Sequence, residues 1–182
     1  MGSVITDLGN RFIVLVGLMG VGKSSVGRRL ARKLDLPFID ADDEIEKAAG
    51  CSIPEIFRLY GEPAFRDGER RVIARILATG PGVLATGGGA FMDPDTRTEI
   101  AENGVSVWLR ADVEVLYQRT RRRNDRPLLQ SGDPRATLEK LAAERGPFYA
   151  KAEMTIDTDT EKLAETVDHI IYELNATLSA SS

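Results

Sequence analysis

Gly17-Leu18-Met19-Gly20-Val21-Gly22-Lys23-Ser24 follows directly on the apolar run Phe12–Val16 and precedes a stretch in which Val26, Leu30 and Leu34 recur every four residues. It satisfies the spacing G-x-x-x-x-G-K-[ST] at every fixed position, in the strand–loop–helix setting that the spacing demands. The chemistry is that of an anion cradle. Glycines let the backbone wrap closely, so that several N–H groups point inward. The helix that follows turns its positive N-terminal end toward the same point. Lys23 adds a point charge for the β- and γ-phosphates, and the Ser24 hydroxyl is suited to ligate Mg²⁺. Gly20, Val21, Gly22, Lys23, Ser24 and Ser25 are therefore expected to hold the phosphates of a nucleotide. The pattern does not say what becomes of the phosphate.

Working outward, Val83–Ala85 and Val105–Leu109 are again continuous apolar runs, the mark of strands buried on both faces. Pro37–Ile39 and Met154–Ile156 are weaker strand candidates. Leu163, Val167, Ile170, Ile171 and Leu174 mark one face of a final helix. Ser52 with Glu55 has the spacing of a capping box. Asp93-Pro94 and Asp133-Pro134 each put a capping acid before a proline suited to the first helical position. Strands alternating with helices imply an α/β fold, a parallel sheet with helices on both faces. The 182 residues suit one domain. Residues 1–10 read as a loose lead-in and residues 176–182 as a flexible tail of small residues. No internal repeat or linker divides the chain.

Composition narrows the function classes. The balance of 24 Lys+Arg against 28 Asp+Glu gives a net charge of -4, which argues against a protein whose main task is to coat nucleic acid. A lone cysteine, Cys51, excludes an internal disulfide and any multi-Cys zinc site, and a lone histidine, His169, excludes a two-His zinc motif. Cys51 sits in a helix-to-helix connection. His169 falls on the side of the last helix away from its apolar face and is expected to be exposed. Neither is expected to be catalytic. No apolar run approaches the roughly 18 residues needed to span a bilayer, and no secretory segment is evident. Residues 1–6 fit a loose myristoylation pattern but no basic patch follows as a second anchor. Asn175-Ala176-Thr177 fits a glycosylation sequon and is read as chance. The protein is expected in the cytoplasm, as a monomer, without a nucleic-acid or membrane partner.

Other residues group around the predicted strand ends, where open parallel sheets bind ligands. Asp40 and Asp42 come directly after the second predicted strand. One could hold Mg²⁺ through water and the other could accept a proton or hydrogen bond from an alcohol; alternatively the pair caps a helix that begins near Asp43, and both can hold at once. Gly87-Gly88-Gly89 follows the strand Val83–Ala85 and is either a close-approach surface for a small polar substrate or a flexible loop. Arg66, and Arg145 near the end of a predicted helix before Gly146-Pro147, are either solvated or ready to bind a carboxylate bidentately. Arg119-Thr120-Arg121-Arg122-Arg123-Asn124-Asp125-Arg126 carries five arginines. No aromatics interleave it, so a lid that brings positive charge over the γ-phosphate is favoured over a nucleic-acid patch.

With these residues in view, the chain resembles the shikimate kinases. The matching stretches are 17–25 (GLMGVGKSS), 38–42 (FIDAD), 61–66 (GEPAFR), 85–90 (ATGGGA), 126–129 (RPLL) and 144–149 (ERGPFY). They fall in the family's order and spacing, and the resemblance spans about residues 11–174. It implies the fold of the nucleoside monophosphate kinases: a P-loop NTPase, three-layered, with a five-stranded parallel sheet, a substrate-binding region over about 40–70 and a lid over about 119–134. It implies ATP-dependent phosphorylation of the shikimate 3-hydroxyl, a step toward chorismate and the aromatic amino acids. By the same match Lys23, Asp42 and Arg126 would be catalytic. Asp42, Arg66, Gly87, Gly88, Gly89 and Arg145 would bind shikimate. Arg126 would reach ATP from the lid, and Arg119 would lie against the adenine. Ser24 would ligate Mg²⁺, with Asp40 acting through water.

Three rival readings have discriminating features. A kinase for a sugar acid such as gluconate shares the loop and the arginines, but the triple glycine and the Phe65-Arg66 context favour shikimate. A GTPase switch requires an Asn-Lys-x-Asp motif, and none of the four asparagines (10, 103, 124 and 175) begins one. An RNA-binding protein using the arginine run would bind with steep salt dependence.

Overall fold

The computed structural model describes residues 7–121, 132–159 and 162–180. Strand β1 (Phe12–Val16) is apolar and buried at every position. A strand of that kind needs cover on both faces. It lies at the centre of five parallel strands in the order β2 (Phe38–Asp40), β3 (Gly82–Ala85), β1, β4 (Gly104–Arg110), β5 (Met154–Asp157). Leu15 aligns with Ala85 on one side and Val16 with Trp108 on the other, so the strands end at a common edge.

The connections then decide which face each helix covers. From β1 the chain passes over β3 to reach β2, through α1 (Lys23–Leu34). Every later connection runs in the opposite direction across the sheet: through α2 (Ala41–Ala49) and α3 (Ile53–Leu77), then α4 (Pro94–Asn103), then α5 (Val113–Thr120) and α6 (Pro134–Tyr149). Right-handed crossovers place those helices on the face opposite α1. The last helix, α7 (Leu163–Ala180), packs on α1 and completes that layer. The core between layers holds Ile13, Leu15, Leu30, Ile73, Leu84, Ile100, Leu109 and Ile156, all fully buried. Because α1 leaves β1 on one face and the connection from β3 leaves on the other, a crevice opens beyond the carboxyl ends of β1 and β3.

The start signals form as expected. Ser52 Oγ accepts from Glu55 N at 3.3 Å and Glu55 Oε2 accepts from Ser52 N at 3.1 Å, closing the capping box. Asp93 and Asp133 cap α4 and α6. Gly61 interrupts the helical path of α3, with φ 82° and ψ 170°, and Pro63 sits in the first turn of the second half.

Five local expectations are corrected. Helix α2 begins at Ala41, two residues earlier than its start near Asp43 implied, because the Asp40 side chain caps it. Helix α6 runs through Gly146-Pro147 to Tyr149; the ladder resumes past the proline, with Ala150 N donating to Gly146 O at 3.0 Å, and Tyr149 is buried. Residues 176–180, expected as part of a flexible tail, continue α7, anchored by buried Leu178. Leu8, in the expected loose lead-in, is packed into the core. His169 is half-buried rather than exposed, with Nε2 3.7 Å from Glu173.

Candidate active site

The loop after β1 is shaped by glycines at two points, one set by backbone conformation and one by lack of room. Gly22 has φ 98° and caps α1 without a side chain, which leaves the first-turn N–H groups facing the crevice. Gly17 has φ 144°, and a Cβ there would stand 2.6 Å from Leu109 O. Lys23 Nζ reaches back over the loop, donating to Gly17 O at 2.6 Å and Leu18 O at 3.0 Å. Gly20, Val21, Gly22, Lys23, Ser24 and Ser25 all line one cleft of about 470 Å³.

Asp40 caps α2, the alternative role the sequence offered, and also meets the phosphate loop. Its Oδ1 accepts from Asp42 N at 3.0 Å as the cap of α2, and its Oδ2 accepts from Ser24 Oγ at 2.7 Å. An all-oxygen pair of hydroxyl and carboxylate beside the phosphate cradle fits Mg²⁺, which takes few protein ligands and keeps its waters. Asp42, one residue into the helix, faces the same cleft. Burial raises its pKa, the neighbouring Asp40 raises it further, and Lys23 opposes the shift.

Beyond β3, Gly87 and Gly88 continue the cleft wall. The arginines close on this surface from two directions. Arg66, from the second half of α3, lies so near that a Cβ on Gly89 would stand 2.6 Å from its Cζ. Its Nη1 donates to Glu69 Oε1 at 2.9 Å. Arg145, from α6, places Nη1 3.0 Å from where a Gly88 Cβ would be. Gly88 and Gly89 are thus a surface on which two guanidinium groups rest, and any side chain there would displace them. Arg66 Nη2 also donates to Glu62 Oε1 at 3.5 Å; a guanidinium offers five donors, so these two ion pairs still leave others for a ligand.

Three residues of this region escaped the sequence reading. Glu69 is 3% exposed, and its pKa is raised by burial against the opposing pull of Arg66. Its signal was its position one helical turn after Arg66. Tyr149 is buried, its hydroxyl donates to Gly88 O, and burial pushes its pKa up to about 12. It lies four residues after Arg145, hence on the same helical face. Thr158, after β5, offers no sequence signal; it accepts through its carbonyl from Arg119 Nη2 at 2.9 Å. Arg119 Nη1 also donates to Val21 O at 3.2 Å, so this arginine ties the phosphate loop to the far end of the cleft. Arg126, and the rest of the lid over 122–131, lie outside the described residues.

The cleft therefore has an amide-lined loop with a lysine at one end, and at the other a carboxylate, Asp42, and a glycine wall that two guanidinium groups approach at Gly88 and Gly89. That arrangement on this sheet defines a class, the P-loop kinases that phosphorylate a small molecule. The family model described as shikimate kinase matches residues 19–175. A shikimate kinase of Bradyrhizobium diazoefficiens is 58% identical over 166 residues, covering 90% of this chain and 80% of that protein. A solved shikimate kinase from Acinetobacter baumannii, in complex with shikimate, superposes with a TM-score of 0.88 at 38% identity, covering 93% of this chain and 96% of its own. This chain belongs to the shikimate kinase family. A gluconokinase from Sinorhizobium meliloti, at 21% identity and a TM-score of 0.65 over 94% of this chain and 95% of that one, shares the fold.

Proposed function

We propose that this chain transfers the γ-phosphoryl group of ATP to the 3-hydroxyl of shikimate, giving shikimate 3-phosphate and ADP. The observation that carries the reading is the convergence of Arg66 and Arg145 on Gly88 and Gly89, at the end of a cleft that begins in the phosphate loop. A ring acid held there by its carboxylate can point a hydroxyl toward Asp42 and the terminal phosphate.

Phosphoryl transfer has a loose transition state with charge spread over the equatorial oxygens, so the protein contributes mainly position and electrostatics. Lys23 places its ammonium among the phosphate oxygens, and the first-turn amides of α1, with Gly20, Val21, Gly22, Ser24 and Ser25, hold the chain. Arg126 would approach from the lid, and Arg119 would lie against the adenine. Ser24, and Asp40 through water, would hold Mg²⁺, which would supply further neutralisation of phosphate charge. Asp42 accepts a hydrogen bond from the attacking hydroxyl and receives its proton late in the transfer. The hydroxyl oxygen forms the new P–O bond as the bond to the β–γ bridging oxygen breaks, leaving ADP. Gly87, Gly88 and Gly89 supply a close backbone wall for the substrate ring.

The same reading takes the enzyme as a cytoplasmic monomer. No helix among the described residues is long and apolar enough to cross a membrane. Coupled ADP release tests the proposal: turnover with shikimate, and little with gluconate or without an acceptor, is expected. Preference for gluconate would overturn it in favour of the sugar-acid kinase.

A further inference from the structure

Tyr149 ends α6, four residues after Arg145. Its ring is 1% exposed and packs against Trp108 of β4, with centroids 5.8 Å apart. Its hydroxyl donates to Gly88 O, which fixes the hydroxyl hydrogen and leaves the oxygen lone pairs directed elsewhere. The Arg145 guanidinium acts on that same hydroxyl, opposing the rise that burial gives its pKa. Its Nη1 also lies 3.0 Å from the Cβ position of Gly88. Tyr149 and Arg145 thus converge on Gly88, the hydroxyl on its carbonyl and the guanidinium over its Cα. An arginine side chain has many rotamers to lose on binding a ligand, and a fixed partner reduces that loss beforehand.

We propose that Tyr149 is a positioning residue for substrate binding: its hydroxyl, held by the Gly88 carbonyl, orients the Arg145 guanidinium for the carboxylate of shikimate. The proposal rests on the reading above in which Arg145 holds that carboxylate. Tyr149 itself is not among the residues lining the cleft that runs from the phosphate loop to Asp42. Losing it should therefore weaken capture of the acid and leave the chemical step and the nucleotide site alone.

Steady-state kinetics of Tyr149→Phe, Arg145→Ala and the double variant test this, with melting midpoints to verify folding. Removing one oxygen keeps the ring packing. Tyr149→Phe is expected to raise the KM for shikimate roughly fivefold, the factor that one hydrogen bond supports, with the KM for ATP and kcat near the parent's. In the Arg145→Ala background the same change should add nothing, because the group it acts through is gone. A parental shikimate KM in Tyr149→Phe, or an equal further rise in the Arg145→Ala background, would overturn the proposal while leaving Arg145 in place. A parental shikimate KM in Arg145→Ala would overturn the reading of Arg145 itself. Trp108→Phe loosens the same packing without touching the hydroxyl, and a matching rise there would reduce Tyr149 to a packing residue. The unmodified enzyme gives an independent check. In a shikimate complex Arg145 should lie within hydrogen-bonding distance of the Tyr149 hydroxyl beside Gly88, and a guanidinium swung away from it would contradict the proposal.

Discussion

The carboxylates of Asp42 and Glu69 converge on Gly87, where an added Cβ would stand 3.0 Å from Asp42 Oδ1 and 3.2 Å from Glu69 Oε2. They come from different helices, α2 and α3, and burial raises the pKa of each. Two acids at one glycine, Glu69 buried and Asp42 half-buried, are tolerable only with cations close by. Lys23 acts on Asp42, and Arg66 and Arg145 act on Glu69. The substrate end of the cleft is therefore a balanced cluster of charge rather than a set of independent ligands.

Gly87→Ala should disturb that cluster without unfolding the protein. The new methyl meets carboxylate oxygens, which can move by a few tenths of an ångström, but Asp42 then no longer faces the cleft as before. A loss of roughly tenfold or more in kcat is expected, given the sensitivity of transfer to misplacement. Circular dichroism and kcat measured together check it; unchanged kcat would show that Asp42 has room to spare.

Lys23→Ala and Asp42→Asn should each lower kcat by about 10²–10³, equivalent to about 3–4 kcal/mol, by analogy with loss of one preorganised charge contact. Neither side chain supports the core, so melting midpoints should stay close to the parent's. Near-parental turnover in Asp42→Asn would remove that residue from the chemistry.

Arg66→Ala should act twice. It removes a carboxylate ligand, raising the shikimate KM, and it leaves Glu69 buried without its 2.9 Å partner. The second effect should cost stability, on the order of 1–3 kcal/mol for a buried group left unpaired. Adding Glu69→Gln should restore much of the stability and none of the KM. Chemical denaturation alongside kinetics separates the two effects, and recovery of KM in the double variant would contradict a binding role for Arg66.

The sheet and its order of elements could be read from the sequence because strands covered on both faces leave unbroken apolar runs. Phe12–Val16 and Val105–Leu109 are such runs, and the phosphate loop could be recognised because its glycines are required by its own backbone path. Helix ends were less legible. Pro147 suggested a stop, yet the buried Tyr149 two residues on holds the helix together, and burial of that kind depends on tertiary contacts. Glu69 and Tyr149 were missed for a related reason. They touch the site through Arg66, Arg145 and Gly88, and a partner's partner leaves only helical spacing as its trace.

Stability in acid should depend in part on Asp93. Burial alone would raise its pKa, but the Thr96 and Asp95 N–H groups and the Arg70 guanidinium, 2.9 Å away, outweigh it and hold the carboxyl below its usual value. A depressed folded-state pKa adds stability above the unfolded value, near about 3.9, and that stability is lost as pH falls through the folded value. Asp93→Ala should cost about 1 kcal/mol at neutral pH. The gap in melting midpoint to the parent should close below about pH 4. A gap that persists undiminished in acid would show that the charge is not what stabilises the cap.

The most direct measurement is a crystal structure with shikimate and a non-hydrolysable ATP analogue bound together with Mg²⁺. The account requires the shikimate carboxylate on Arg66 and Arg145, and the 3-hydroxyl beside Asp42 in line with the terminal phosphorus. A ring bound elsewhere, or turned so that its 3-hydroxyl faces away from the phosphate loop, would contradict it.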